Sequence, residues 1–312
     1  MNKRKSKTNK KLIESIISIG ILILLIVFGF YYQNKDTLLQ STTGNTIPRQ
    51  TNQATIEQNK LTGSLEIYFF DVGQADSILL KNQEQTVLID AGNNADGKWL
   101  VQKLENLGIK KIDYLIGTHP HEDHIGGMDD VIKNFDIGTI YMPKVQTNTK
   151  TFEEVLDAVA QKNLKITSPQ IGTTFNVGDA VCEVMACGEG TKEEKHNLNL
   201  ASIVIRTTYG KQSYLFMADA ETKNEVARTW PQTNVIKIGH HGSDTSSSLN
   251  FIKQVQPQIA IISVGKDNHY GHPKESILNR LQSQHIEIYR TDTNGTIYIS
   301  SDGETNHIQI EK

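Results

Sequence analysis

Tyr114–Met128 reads YLIGTHPHEDHIGGM: an apolar run that stops at Thr118, then three histidines and an aspartate within six residues. The run has the look of a buried strand, and Gly126-Gly127 stands where a helix begins. Alternation puts His119 and His121 on one side as the strand ends, and the turn swings Asp123 and His124 towards a second position nearby. Imidazole nitrogens beside a carboxylate suit Zn²⁺, Mn²⁺ or Fe, and the lack of thiolates argues against a structural zinc knot. The competing reading is a hydrogen-bonded histidine cluster on a loop. So dense a set of ligand types at a strand end favours metal.

Outward from this stretch, strand-like runs alternate with helical patterns. Residues 65–70, 77–80, 86–89, 112–117, 203–206, 214–217, 235–238 and 259–264 read as strands. Residues 99–107, 152–160, 221–229, 249–255 and 276–282 read as helices. The mix predicts a layered α/β or α+β sandwich, and residues 64–312 are enough for one domain of that kind. Neither a G-x-S-x-G elbow nor a Walker loop is present, which removes the commonest serine-hydrolase and nucleotide-triphosphatase readings. Cys182 and Cys187 are read as two semi-buried thiols rather than a disulfide, although an external location would permit one.

The first 63 residues differ in character. Residues 1–11 carry six Lys/Arg and no acid, and the rest of the chain holds 26 basic against 35 acidic residues. Residues 12–32 form an apolar segment which, as a helix of about 1.5 Å per residue, is long enough to cross a hydrocarbon core of roughly 30 Å. The cations before it put the N-terminus in the cytoplasm and the body outside, anchored to the cell membrane in a single pass. A buried core helix and a cleaved signal peptide, which would release a secreted form, are the alternatives. The apolar run exceeds the usual signal core, and no A-x-A-like site follows it. Residues 33–63, rich in Gln, Asn, Thr and Ser, read as a polar linker. The acidic remainder gives the body no general electrostatic reason to coat nucleic acid.

His119-x-His121-x-Asp123-His124 after an apolar strand resembles the signature of the metallo-β-lactamase superfamily. Further segments resemble the hydrolase domain of the ComEC competence (DNA-uptake) family. They are Asp71-Val-Gly-Gln-Ala-Asp76, Val87-Leu-Ile-Asp90-Ala-Gly92, Asn199-Leu-Ala-Ser202, Met217-Ala-Asp219-Ala-Glu221, Lys237-Ile-Gly-His240-His241-Gly-Ser243, Tyr270-Gly-His272-Pro273 and residues 291–297. Ala75 and Ala218 stand where that family has glycine. The resemblance spans about residues 65–310 and implies an αββα sandwich with one or two divalent ions, Zn or Mn, in a cleft at the strand ends. It implies His119 and His121 on a first metal, Asp123 and His124 on a second, Asp219 bridging both, and His240 completing the second, with His241 as the alternative. Many members of the superfamily carry a further histidine where this chain has Leu198. His196 lies two residues earlier, and Asn199 or water is the other substitute.

Two such ions, about 3.5–4 Å apart, generate a hydroxide near neutral pH that attacks a carbonyl or phosphoryl centre, and Asp123 orients it or takes its proton. The superfamily includes β-lactamases, lactonases, thioesterases, nucleases and phosphodiesterases, so the motif implies metal-assisted hydrolysis but not the substrate. Ser243, in the segment Gly242–Ser248 ahead of the helix at 249–255, suggests a phosphate cradle, with ordinary helix capping as the alternative. Lys237, His272, Asn199 and Arg290 are further candidates for contact with substrate. The reading is a membrane-anchored extracytoplasmic metallohydrolase acting on nucleic acid or another phosphate ester. A lactonase or β-lactamase-like enzyme and a non-catalytic binding module of DNA uptake or the envelope are the other two.

Overall fold

The computed structural model describes residues 61–188 and 197–312. The expected span at 12–32 and the linker up to residue 60 lie outside them, as does His196. Among the described residues, no helix is long and apolar enough to cross a membrane.

Two mixed sheets face each other. The first runs in the order β15-β14-β1-β2-β3-β4-β5-β6. Its strands are β1 (Leu65–Phe69), β2 (Ile78–Asn82), β3 (Gln85–Ile89), β4 (Lys111–Ile116), β5 (Asp136–Tyr141), β6 (Ile166–Thr167), β14 (Ile297–Ser301) and β15 (Asn306–Ile310). The second runs β13-β12-β11-β10-β9-β8-β7. It is built from β7 (Thr174–Val177), β8 (Ala180–Ala186), β9 (Val204–Tyr209), β10 (Gln212–Phe216), β11 (Val235–Lys237), β12 (Ile259–Ile262) and β13 (Glu287–Arg290).

The period-two pattern decides which side chains meet between the sheets. Leu65, Ile67 and Phe69 of β1 pack there with Val184, Ile205 and Phe216 of the opposite sheet. Helices close both outer faces. Leu100 and Leu104 of α1 (Gly97–Asn106), Val131 of α3 (Met128–Asn134) and Val155 of α4 (Lys150–Gln161) cover the first sheet. Phe251 and Val255 of α6 (Leu249–Val255) and Ile277 and Leu281 of α7 (Glu275–Ser283) cover the second. The result is the αββα sandwich. Shorter helices α2 (Glu122–Ile125), α5 (Thr222–Val226) and α8 (Thr291–Asn294) lie on connections.

Leu61, Thr62 and Gly63, assigned by composition to the linker, are tied to the body. Thr62 donates to Asp179 from both its N–H and its hydroxyl, and Gly63 accepts from the Tyr209 hydroxyl. Both cysteines are free, Cys182 buried in β8 beside the Thr207 hydroxyl.

Pairing direction positions the site. β3 and β4 are parallel to each other, as are β10, β11 and β12. Their carboxyl ends therefore open on the same rim, where loops are free to carry ligands.

Candidate metal centre

β4 ends at Ile116, earlier than the sequence suggests, so His119 and His121 belong to the following loop rather than to the strand. Thr118 fixes that loop: its N–H and its hydroxyl each donate to one oxygen of Asp90, both at 2.8 Å. His121 sits at the N-cap of α2, which carries Asp123 and His124. Gly126 explains the break that follows. A Cβ there would lie 2.2 Å from backbone atoms of Asn93 and Asn94, so only glycine lets the helix pack on the loop after β3. From the second sheet, the turn after β10 brings Asp219 and the turn after β11 brings His240 and His241.

Two groups of ligand atoms meet at Asp219. Asp123, His124, Asp219 and His241 form one; His119, His121 and Asp219 form the other. In the first, Asp219 Oδ1 is 3.2 Å from His124 Nε2 and 3.5 Å from His241 Nε2, and Asp123 Oδ2 is 3.3 Å from His241 Nε2. In the second, His119 Nε2 is 2.9 Å from His121 Nδ1 and 3.9 Å from Asp219 Oδ2. Donors held at about 2.1 Å from one Zn²⁺ are themselves separated by roughly 3–3.5 Å, the spacing seen here. Asp219 Oδ1, His124 Nε2 and His241 Nε2 are buried without hydrogen-bond partners. Leaving such atoms unpaired is costly unless a cation takes them up. The residues present therefore fit a divalent metal pair.

The surrounding contacts aim the imidazoles. Asp90 holds His124 Nδ1 at 2.8 Å, and the Ser263 carbonyl accepts from His241 Nδ1 at 2.9 Å. Each leaves Nε2 facing Asp219, the usual way a metal-binding histidine is fixed. Burial by itself would raise the Asp219 carboxyl, but the His124 and His241 charges hold it well below the usual carboxylate range. Burial and the neighbouring His124 push His119 well below the ordinary imidazole range, which favours the neutral, ligating form. His124 is the opposite case. Burial would lower it, yet Asp219 and Asp90 raise it well above that range. A cation taking that proton's place meets the same carboxylates.

Of His240 and its alternative His241, both considered for the second metal, the structure groups His241 with Asp123, His124 and Asp219, because consecutive left-handed residues (φ 49° and 52°) turn the two rings to opposite oxygens of Asp219. Lys237, expected to face substrate, is fully buried and paired with Asp76, also accepted by the Ala218 carbonyl at 3.2 Å. β11 is covered on both faces, so its lysine has no path to the cleft. Ser243 is buried too, its hydroxyl shared with Thr245 in the turn, and it does not line the cleft. Nor is the N-terminus of α6 open to phosphate. Ser248 caps it, and the Glu225 carboxylate already accepts from the Ser247 and Ser248 N–H groups. Arg290 is spent on Asp292.

Asn199 and His272 do line the cleft, which measures about 540 Å³. Burial and then His240 push His272 down to about 4, so it is neutral at pH 7, and its Nδ1 has no partner. The cleft also takes in Gln74, Asn93, Glu122, His269 and Tyr270, none singled out by sequence. Gln74 and Tyr270 lie inside segments quoted above and Asn93 directly follows Gly92, so those motifs were the available signal. Asp76 and Asp90 were quoted in the same way without a role.

The metallo-β-lactamase superfamily model matches residues 70–266, and the chain belongs to that superfamily. ComE operon protein 3 of Bacillus subtilis is 32% identical over 259 residues, covering 76% of this chain and 33% of that protein. Competence protein ComA of Neisseria gonorrhoeae is 30% identical over 236 residues, covering 73% of this chain and 31% of that protein. The chain thus spans about a third of the length of these relatives. Among solved structures, the metallo-β-lactamase fold protein YhfI of Bacillus subtilis aligns with a TM-score of 0.53 at 11% identity, over 75% of this chain and 99% of that one. That likeness is one of fold. The chain is a metal-dependent hydrolase of this fold, related to the ComEC group.

Proposed function

We propose that the chain is a phosphodiesterase or nuclease that uses Zn²⁺ or Mn²⁺, anchored in the cell membrane by residues 12–32 with its hydrolase body outside. The topology rests on the charge asymmetry around the apolar segment. The observation that carries the substrate reading is the cleft wall. Its described lining side chains are histidines, amides and carboxylates, and the one other aromatic among them is Tyr270, tilted against His269 with ring centroids 4.1 Å apart and stacked with His272 at 5.7 Å. An acyl chain finds no aliphatic side chain among those described residues, whereas a phosphodiester finds polar partners and its base a ring on which to stack. Among the described residues no Lys or Arg lines the cleft, so phosphate charge is met at the metal centre and by neutral donors.

Divalent ions bound at this centre supply Lewis acidity and lower the pKa of water towards neutrality. The chain's own groups do the rest. Asp123 lines the cleft and is held ionised by His124 and His241 against the pull of burial, so it can orient the attacking water and accept its proton. Neutral His272 and the Asn199 amide stand on the same wall, placed to hydrogen-bond the non-bridging oxygens of a phosphoryl group without adding charge.

The test is a hydrolysis panel of bis-p-nitrophenyl phosphate, single- and double-stranded DNA, a lactone and nitrocefin, run with Mn²⁺ and with Zn²⁺. Turnover of the phosphodiesters, lost in Asp123→Ala, is expected. Turnover of the lactone or nitrocefin alone would overturn the substrate reading.

A further inference from the structure

The two ligand groups are unequal: the one around His124 has three donors besides Asp219, the one around His119 has two. Leu198, on the 3₁₀ turn Leu198–Ala201, offers no donor atom. His240 approaches Asp219, the residue shared with the deficient group, from the other sheet. Its Nε2 lies 3.6 Å from Asp219 Oδ2, the oxygen that His119 Nε2 faces at 3.9 Å. Its Nδ1 is fixed 3.0 Å from the Thr245 hydroxyl, just as Asp90 fixes His124 and Ser263 fixes His241. The Asn199 amide nitrogen lies 3.4 Å from its Nε2 and reaches Glu221 at the same distance, so it flanks the ring.

The backbone supports this. In extended chain, neighbouring side chains point to opposite faces. The left-handed pair at 240 and 241, rarely adopted by residues with a side chain, instead sets the two rings around one carboxylate, one at each oxygen. We propose that His240 is the third imidazole of the first metal group, supplying from the turn after β11 the donor that Leu198 lacks. This rests on the cleft being a metal centre and is independent of the phosphodiester assignment.

The experiment uses the full-length chain, stripped of metal and titrated with Mn²⁺ alone. Calorimetry counts the ions, and electron paramagnetic resonance detects a coupled pair. The wild type is expected to bind two ions as a coupled pair. His240→Asn, chosen because asparagine tolerates the left-handed backbone, is expected to keep one ion, bind the second at least tenfold more weakly and lose the coupled spectrum. Equal melting of the two metal-free proteins checks that the variant folds. As a readout that needs no variant, ¹⁵N-histidine labelling of the loaded wild type is expected to show five histidine nitrogens on the pair. A coupled pair of wild-type affinity in His240→Asn, or a count of four, would overturn the role of His240 alone. A wild-type chain that binds no metal would overturn the metal-centre reading with it.

Discussion

Lys237 and Asp76 form an ion pair with almost no solvent access, one layer beneath the ligands. Asp76 Oδ1 also lies 3.6 Å from His241 Nδ1, so the pair backs the second ligand group. Removing one partner leaves an uncompensated buried charge, which costs about 3–5 kcal/mol. Lys237→Met should therefore lower the unfolding free energy of the metal-free chain by that amount, read as a lower urea midpoint, and adding Asp76→Asn should recover part of it. An unchanged midpoint in the single variant would show that the pair contributes little. This is also where sequence reading was weakest. The ligands at 119–124 were legible because they are contiguous, and Asp219 because it ends an apolar run before a helix. Which way His240, His241 and Lys237 point was not. That depends on two left-handed residues and on a strand buried on both faces, neither of which leaves a mark in the local pattern.

The short helix α6 has its N-terminus closed by a side chain from α5. Glu225 is buried and accepts from two backbone N–H groups there. Burial raises its carboxyl above the ordinary value, against the opposing pull of Ser248 and Ser247. A raised carboxyl binds its proton more tightly in the folded chain than in the unfolded one. The contribution is thus fully present below the unfolded pKa and is lost as pH rises through the folded one. In urea melts across that window, Glu225→Gln is expected to lose less stability with rising pH than the wild type; parallel curves would rule the linkage out. The strands and helices flanking the ligands were readable because their apolar periods are strong. The hairpin of β14 and β15 was not: each strand is only five residues long, and β15 is largely exposed. β14 belongs to the first sheet only through pairing with β1, some 230 residues earlier, and such a contact leaves no local signal.

At the scale of the molecule, the near-neutral formal charge hides a basic N-terminus and an acidic remainder, and the cleft follows the acidic side. The sandwich itself was foreseeable from alternating apolar runs, while the pairing of two mixed sheets needed the long-range contacts. One consequence follows from where the ligands come from. His119, His121, Asp123 and His124 hang from the first sheet, and Asp219, His240 and His241 from the second. A metal pair would thus act as a removable cross-link between two halves some 100 residues apart in the chain, restraining it much as a disulfide does. Chelation should then loosen both rims together. Amide hydrogen exchange is expected to quicken in residues 117–127 and 217–243 at once, while β1 and β9 stay protected. Quickening on one side only would mean that the halves are not stapled through this centre.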